Sequence, residues 1–312
     1  MIWSPYALSS ENYFKPSKTH ESPVSTFWPA LGSYLLPGLD QFVERQYGAA
    51  TGYAGVTIIS DIFAKKSIRR EREYRNSFAY KRLNDAQKEN RDFFDEEVRK
   101  ISFYNQLSDA SRSMSAYHSF QTSVKINQKY GLFNFIKRQD TPEQIALAPF
   151  EFHYLTKPRT YLPLAFIASL AAVGMAWNLE DEEHEKRTLT NSDYYFSGAS
   201  SYLAGTHEEA LFRGWIQPSL RESTGSDFWS NTITSLLFAR SHYPKVELPI
   251  AQLILGWHFG YIVQENGYSL REAVFLHTWW DVFAFLGTYQ YKRRNPNAVI
   301  PPLWLPALTL SF

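Results

Sequence analysis

Three charged residues that could do chemistry lie inside an apolar and aromatic stretch of this 312-residue chain: Glu208, Glu209 and Arg213. Ionisable groups in such surroundings are costly to bury, so they usually pair with one another or take part in a reaction. If the stretch is helical, Glu209 and Arg213 share a face, whereas Glu208 points about 100° away because a turn takes about 3.6 residues. The spacing predicts that Arg213 neutralises Glu209 while Glu208 stays available. A surface helix with an ordinary ion pair is the alternative.

Two later segments add acid–base groups at helical spacing. His242 follows Phe238 by four residues, and Asp281 follows His277 by four, so each pair would share one helical face. A lone histidine on an apolar helix is usually a satisfied core residue. A free carboxylate, two histidines and an aspartate, each in or beside an apolar segment, together favour a functional site over satisfied core residues.

The composition excludes several kinds of site. The net charge is +1, so bulk electrostatics do not favour a nucleic-acid partner. The chain has no cysteine, which excludes disulfides, thiolate zinc sites and cysteine nucleophiles. The mean hydropathy of −0.35 is low for a membrane protein, but this average hides a strong segregation of charge along the chain.

Long uncharged windows between the charged clusters indicate membrane helices. Thr160–Leu179 has the length of about 20 mostly apolar residues that a spanning helix needs. The other windows are shorter, which is tolerated when helices bundle around a polar cavity. We therefore predict an all-α fold, a polytopic membrane helix bundle with a mostly polar helical N-terminal region, placed as a multi-pass protein in the cell (inner) membrane. Buried helices of a soluble protein are the alternative.

The same pattern divides the chain into four regions. The predicted regions are a loose N-terminus at residues 1–26, an apolar helical hairpin at 27–63, a polar or amphipathic helical region at 64–158 and a C-terminal module at 159–312. The first of these lacks a basic start followed by an apolar run, so insertion would use internal spans. Helices of the polar region are expected to be amphipathic and to lie on the membrane surface.

Local signals orient and delimit some of these elements. A basic cluster follows the second apolar run: Lys65, Lys66, Arg69, Arg70, Arg72 and Arg75. We interpret this cluster as a solvated, cytoplasmic flank, with binding of anionic lipid headgroups as the alternative. Thr141 and Pro142 are expected to be the cap and the first residue of a helix.

The three motifs together resemble a known family. Glu208-Glu209-x-x-x-Arg213, Phe238-x-x-x-His242 and His277-x-x-x-Asp281, in this order, are similar to the motifs of the CPBP (CAAX protease and bacteriocin-processing) family, also called Abi-like. The segment Gly267–Ala273 before His277 is similar as well. The resemblance extends from about residue 194 to 289, with the motifs at 206–281, and leaves the N-terminal 190 residues uncovered.

The resemblance implies an intramembrane endopeptidase that cleaves a membrane-associated protein or peptide with a glutamate-activated water. By matching position, Glu208 would be the general base, and His242 would position the water or share its proton. His277 and Asp281 would stabilise the oxyanion, and Glu209 and Arg213 would form a structural ion pair. The implied partners are this substrate and the lipid bilayer.

Two questions stay open at this point. An ionised Asp281 cannot donate a hydrogen bond to an oxyanion, so it could instead orient His277, donate while protonated, or ligate a metal. No cofactor is expected, but a divalent metal held by Glu208, His242, His277 and Asp281 is the alternative. The zincin pattern His-Glu-x-x-His is absent because residue 211 is leucine.

Two histidines between residues 194 and 289 are not part of these motifs, and the function as a whole has an alternative. His207 and His258 fall outside the family motifs and are interpreted as packing or hydrogen-bonding residues. A non-catalytic membrane scaffold or immunity-type protein that keeps the fold is the alternative function.

Overall fold

The computed structural model describes residues 13–14, 16, 20–176, 188–243 and 249–294, which form helices and turns without a β-strand. The predicted all-α fold class is therefore confirmed for this part of the chain. Most of the predicted loose N-terminus lies outside these residues. Its residue Phe14, however, is fully buried, and its ring meets the Tyr117 ring edge to face at 6.3 Å.

The helices are numbered here in chain order. In the first half they are α1 (Phe27–Leu35), α2 (Leu39–Val43), α3 (Tyr47–Arg75), α4 (Phe78–Lys81), α5 (Asp85–Phe94), α6 (Glu96–Gln128) and α7 (Pro142–Leu147), followed by 3-10 turns at Ala148–Phe150 and Phe152–Thr156. In the second half they are α8 (Pro158–Ala176), α9 (Asn191–Leu211), α10 (Gln217–Thr224), α11 (Asp227–Ser241), α12 (Ile250–Glu265) and α13 (Arg271–Arg294), with a π-helical segment at Phe212–Ile216.

Helix α6 lies at the centre of the structure, packed against α1, α3, α9 and the π-helical segment. Most of its buried side chains are polar: Arg99, Ser102, Gln106, Ser108, Ser111, Ser113, Ser115, His118, Ser119, Gln121, Thr122, Ser123 and Asn127. The expectation of a surface helix is wrong for α6, because small serines allow close helix contact and bond across it. Ser119, for example, donates to Ser33 Oγ at 2.8 Å.

The predicted apolar hairpin, residues 27–63, corresponds to α1, α2 and the first half of α3. Its two longer arms, α1 and α3, both pack on α6. Helix α3 continues without a break to Arg75, so the predicted boundary at residue 63 is not a helix end.

The basic end of α3 is partly engaged in ion pairs and is not a uniformly solvated flank. Arg75 contacts Glu71 and Asp92, each at 2.7 Å, and Arg91 Nη2 donates to Glu71 Oε2 at 2.7 Å. Burial alone would raise the pKa of Glu71, but Arg91 and Arg75 hold it below its usual value. These contacts tie α3 to α5.

The start of α7 is as the sequence predicts. Thr141 caps the helix by accepting from Gln144 N at 3.3 Å, and Gln144 Oε1 accepts from Thr141 N at 2.9 Å. Pro142 is the first helical residue. This reciprocal arrangement satisfies two backbone donors at the helix start.

Helix α8 covers the predicted span Thr160–Leu179 as far as Ala176, and residues 177–179 lie outside the described part. Among the helices, as far as the structure describes them, none combines the length and the apolar character that a membrane crossing requires.

Residues at the start of this span and just before it bind a buried carboxylate. Glu272, fully buried at the start of α13, accepts from Lys157 at 2.7 Å and from Arg159 Nε at 2.8 Å. Thr160 and Asn266 also donate to it, at 2.8 and 2.7 Å. Four residues from two parts of the chain thus fix where α13 begins.

We expect Glu272→Gln to lower the free energy of unfolding by about 3 kcal/mol, since it leaves two cations without their carboxylate. Both cations are partly exposed and can hydrate, which keeps the cost at the low end for a buried pair. Denaturant unfolding measures the change. Glu265→Gln, an exposed glutamate on α12, is the control and should have almost no effect. Equal values for the two variants would contradict the structural role of Glu272.

Candidate active site

The two adjacent glutamates lie in the last turn of α9. Both are buried, with 9% of Glu208 and none of Glu209 exposed. The far end of this helix is anchored by Asp193, which pairs with Arg99 at 2.5 Å and Arg293 at 2.6 Å. The position of the glutamates is therefore set by a helix held at its start and packed along its length.

Directly after the glutamates the helix changes to a π-helical segment, Phe212–Ile216. Such segments are rare and are frequently found at functional sites. This one contains Arg213, and it lies against α6 and α11. No pattern in the sequence indicated it.

Glu209 and Arg213 form a fully buried ion pair. Arg213 Nη1 donates to Glu209 Oε1 at 2.8 Å, and neither side chain is exposed. Arg213 Nη2 donates to the carbonyl oxygen of Gly256 on α12 at 2.9 Å. A Cβ atom on Gly256 would lie 3.1 Å from Arg213 Nη2 and 2.9 Å from the Phe238 ring, so a side chain there would crowd both.

Glu209 also binds His277, a contact that the sequence analysis missed. Its Oε1 lies 2.8 Å from His277 Nδ1. An ionised carboxylate only accepts hydrogen bonds, so Nδ1 carries the proton and donates. Glu209 therefore connects Arg213 to His277 and sets the orientation of the imidazole ring.

This orientation turns the other ring nitrogen of His277 toward two carboxylates. Nε2 lies 3.9 Å from Glu208 Oε2 and 3.6 Å from Asp281 Oδ2. Both separations are longer than a hydrogen bond and short enough for strong electrostatic attraction. The structure thus brings together Glu208, His277 and Asp281 from α9 and α13.

His242 belongs to the same neighbourhood. It follows α11, and its Nδ1 is 2.7 Å from the carbonyl oxygen of Phe238, which requires a proton on Nδ1. His242 and His277 both lie within electrostatic range of the Glu208 carboxylate. Four predicted site residues therefore converge from three helices.

Two aromatic rings enclose the charged groups. Phe259 stacks on His277 with ring centroids 5.0 Å apart, and Phe238 meets the same ring edge to face at 5.9 Å. The Arg213 guanidinium lies 4.3 Å from the Phe238 ring centroid and 5.6 Å from that of Phe259. The rings make the surroundings apolar, which strengthens the electrostatic interactions between these groups. The sequence analysis identified Phe238 in a motif but not Phe259.

Residues 191–283 match the protein-family model described as Rce1-like, type II CAAX prenyl endopeptidase Rce1-like. The C-terminal region is thus similar to this family, and residues 191–283 are called the Rce1-like region below. This finding confirms the resemblance predicted from the three motifs, and the matched segment contains Glu208, Glu209, Arg213, His242, His277 and Asp281. Because the family consists of endopeptidases, the match indicates a peptide hydrolase.

The match leaves much of the chain uncovered. The N-terminal 190 residues lie outside it, and the predicted start of the module at residue 159 stays a prediction. No curated protein and no solved structure matches the chain.

The described residues contain no group of three or more histidine, aspartate or glutamate side chains arranged to hold a metal ion. The two histidines outside the motifs contact backbone: His207 Nδ1 lies 2.6 Å from Leu203 O, and His258 Nε2 lies 2.8 Å from Arg159 O.

Close packing of α9 on α13 holds the two halves of the Rce1-like site together. A Cβ atom on Gly205 would lie 2.2 Å from Thr278 Oγ1 and 2.9 Å from Thr278 N. Thr278 follows His277, so separating the helices would move the imidazole away from Glu208.

We therefore expect Gly205→Ala to lower the free energy of unfolding by about 1–3 kcal/mol through overpacking. Gly198→Ala is the matched control on the same helix, because a Cβ there meets nothing within 4 Å. It should instead stabilise the helix by about 1 kcal/mol, since alanine is the better helix former. Denaturant unfolding of both variants measures this. A similar change in both would contradict the close α9–α13 contact.

Proposed function

We propose that this chain is a glutamic intramembrane endopeptidase, which hydrolyses a peptide bond of a membrane-associated protein or peptide by means of a water activated by Glu208. One observation carries the proposal. Glu208 Oε2 is buried and has no hydrogen-bond partner among the described residues, yet lies 3.9 Å from His277 Nε2. An unpartnered carboxylate oxygen is costly in a core, so one beside two histidines favours a catalytic role.

Water activation needs a base within hydrogen-bonding reach of the water. Glu208 Oε2 can accept a hydrogen bond from a water about 2.8 Å away, because no group among the described residues occupies this oxygen. Glu208 takes a proton as the water oxygen attacks the peptide carbonyl carbon. The proton then passes to the departing amide nitrogen as the carbon–nitrogen bond breaks. His242, within electrostatic range of Glu208, positions the water.

Of the two residues predicted to stabilise the oxyanion, His277 is a better hydrogen-bond donor than Asp281. Its Nδ1 already donates to Glu209, so Nε2 can donate to the oxyanion when the ring is a cation. Glu208, Glu209 and Asp281 surround the ring and favour that cation. Asp281 would therefore act by stabilising the charge on His277. This role suits an ionised aspartate, which has no proton to donate to the oxyanion.

Membrane placement is supported by apolar side chains that face outward on α1, α3, α8, α11 and α12. They include Trp28, Leu35, Ile58, Ile59, Ile62, Leu162, Phe166, Phe228, Trp229, Leu236, Ile250 and Ile254. Soluble monomers rarely expose large contiguous apolar patches. These faces would contact lipid acyl chains, in keeping with a family of membrane proteins and with a multi-pass position in the inner membrane.

The experiment compares protein termini in membranes from cells that produce the wild type or Glu208→Gln at matched levels. New termini found only with the wild type would support proteolysis and identify substrates. Identical termini, with both forms folded in the membrane, would overturn the proposal in favour of a non-catalytic scaffold or immunity-type protein. Cleavage that a chelator abolishes and added divalent metal restores would instead support the metal-dependent alternative.

A further inference from the structure

A concavity lies largely outside the Rce1-like region, and its lining contains none of the proposed catalytic residues. Its volume is about 620 Å³, and it opens between the end of α6, the segment leading into α7 and the start of α13. The lining residues are Lys125, Gln128, Ile136, Lys137, Arg138, Gln139, Asp140, Gln144 and Arg271.

The lining is strongly basic. It holds four cations, Lys125, Lys137, Arg138 and Arg271, against one carboxylate, Asp140, which gives a net charge of +3 from the difference of four and one. Neutral residues complete it, so the lining favours a ligand with more than one negative charge or with several acceptor oxygens.

The one carboxylate is occupied within the protein. Asp140 is buried, and its Oδ2 accepts from Ser269 Oγ at 2.9 Å and from Leu270 N at 2.7 Å. These hydrogen bonds fix the loop before α13.

The cations differ in how far they are engaged. Arg271 donates hydrogen bonds to Glu151 from Nε, at 2.9 Å, and from Nη2. Its Nη1 is not part of this ion pair. Lys137 and Arg138 are exposed, and the Arg138 side chain makes no ion pair among the described residues. The backbone N–H groups of both residues donate to Gly267 O at 3.0 Å, so the backbone that carries these two side chains is held in place.

Exposed apolar residues follow this basic concavity along the chain. Leu147, Phe150, Phe152 and Leu155 are each exposed by more than two fifths, in α7 and the turns before α8. A basic segment followed along the chain by exposed aromatic and aliphatic side chains is the composition expected where a protein meets lipid headgroups and acyl chains.

We propose that the basic concavity binds a phosphate ester, and that its source is the headgroup of an anionic phospholipid. The cations would contact the phosphate oxygens, while the apolar residues of 147–155 enter the acyl-chain boundary. The proposal is independent of peptide hydrolysis, and the lining contains neither Glu208 nor His242.

The test uses the full chain, purified and reconstituted in phosphatidylcholine nanodiscs with a minority of phosphatidylglycerol. Selective binding of phosphatidylglycerol is measured by native mass spectrometry, and inorganic phosphate binding is measured in detergent by calorimetry. The variant is Lys137→Gln/Arg138→Gln. The control is Lys81→Gln/Arg82→Gln, which removes the same charge from two exposed residues at the end of α4.

We expect the variant to bind phosphatidylglycerol about 30-fold more weakly, from two contacts of about 1 kcal/mol each. The control should stay within about twofold of the wild type. If the wild type shows no preference for phosphatidylglycerol but binds inorganic phosphate, and the variant loses that phosphate binding, the lipid assignment is overturned in favour of a free phosphate. A wild type that binds neither probe, or a variant indistinguishable from the control, would overturn the site itself.

Discussion

Replacement of Glu208 by glutamine is expected to lower the rate of peptide hydrolysis by about 10²–10⁴-fold, the usual contribution of a general base. Glutamine keeps the size of the side chain but cannot accept the proton of the attacking water. Glu208 Oε2 makes no hydrogen bond within the described residues that the substitution would break. The fold should therefore persist while the chemistry is lost.

The measurement is single-turnover cleavage of a substrate identified from the termini comparison, at matched concentrations of folded protein. Glu265→Gln, an exposed glutamate on α12, is the control and should cleave at the wild-type rate. Unchanged cleavage by Glu208→Gln would remove the central residue from the proposed mechanism. Equal loss in both variants would point to a defect of the preparation.

Replacement of Arg213 by methionine is expected to cost about 3–5 kcal/mol of folding free energy, the range for removing one partner of a buried pair. The Glu209 carboxylate would then lose its cation while remaining buried, and its Oε2 already has no hydrogen-bond partner among the described residues. The double variant Glu209→Gln/Arg213→Met removes both charges. It should lose less folding free energy than the sum of the losses of Glu209→Gln and Arg213→Met.

An exposed pair with the same four-residue spacing supplies the control. Glu96 and Lys100 lie 2.8 Å apart, with 79% and 39% of their side chains exposed. Breaking this pair should cost only about 0.5 kcal/mol, because water screens it. Denaturant unfolding compares the two pairs. If Arg213→Met cost no more than the Glu96–Lys100 change, burial would not be what makes the Glu209–Arg213 pair important.

Contacts within one helix could be predicted from the sequence because helical geometry alone determines them. The spacing of Glu209 and Arg213 places their side chains together, and that of His277 and Asp281 leads to a separation of 3.6 Å. The helix start at Thr141 likewise depends on a local hydrogen-bond pattern. The contact between Glu209 and His277 joins α9 to α13, and no local pattern encodes such a pairing.

The position of α6 could not be predicted for a different reason. Periodicity methods assume that polar residues face outward. In α6 they face inward, where serine, glutamine and histidine meet neighbouring helices. The π-helical segment likewise has no periodic signal, since it is a local departure from the regular helix.

The central position of α6 affects how the Rce1-like region can be produced and studied. Gly214 lies so close to Tyr117 of α6 that an added Cβ atom would be 2.5 Å from its ring. One of the two arginines that form ion pairs with Asp193, Arg99, also lies in α6. A fragment of residues 191–283 would lose both contacts and also Arg293, so Asp193 would keep neither of its arginines. The limits of sequence similarity are therefore not the limits of a folding unit, and expression trials should retain α6.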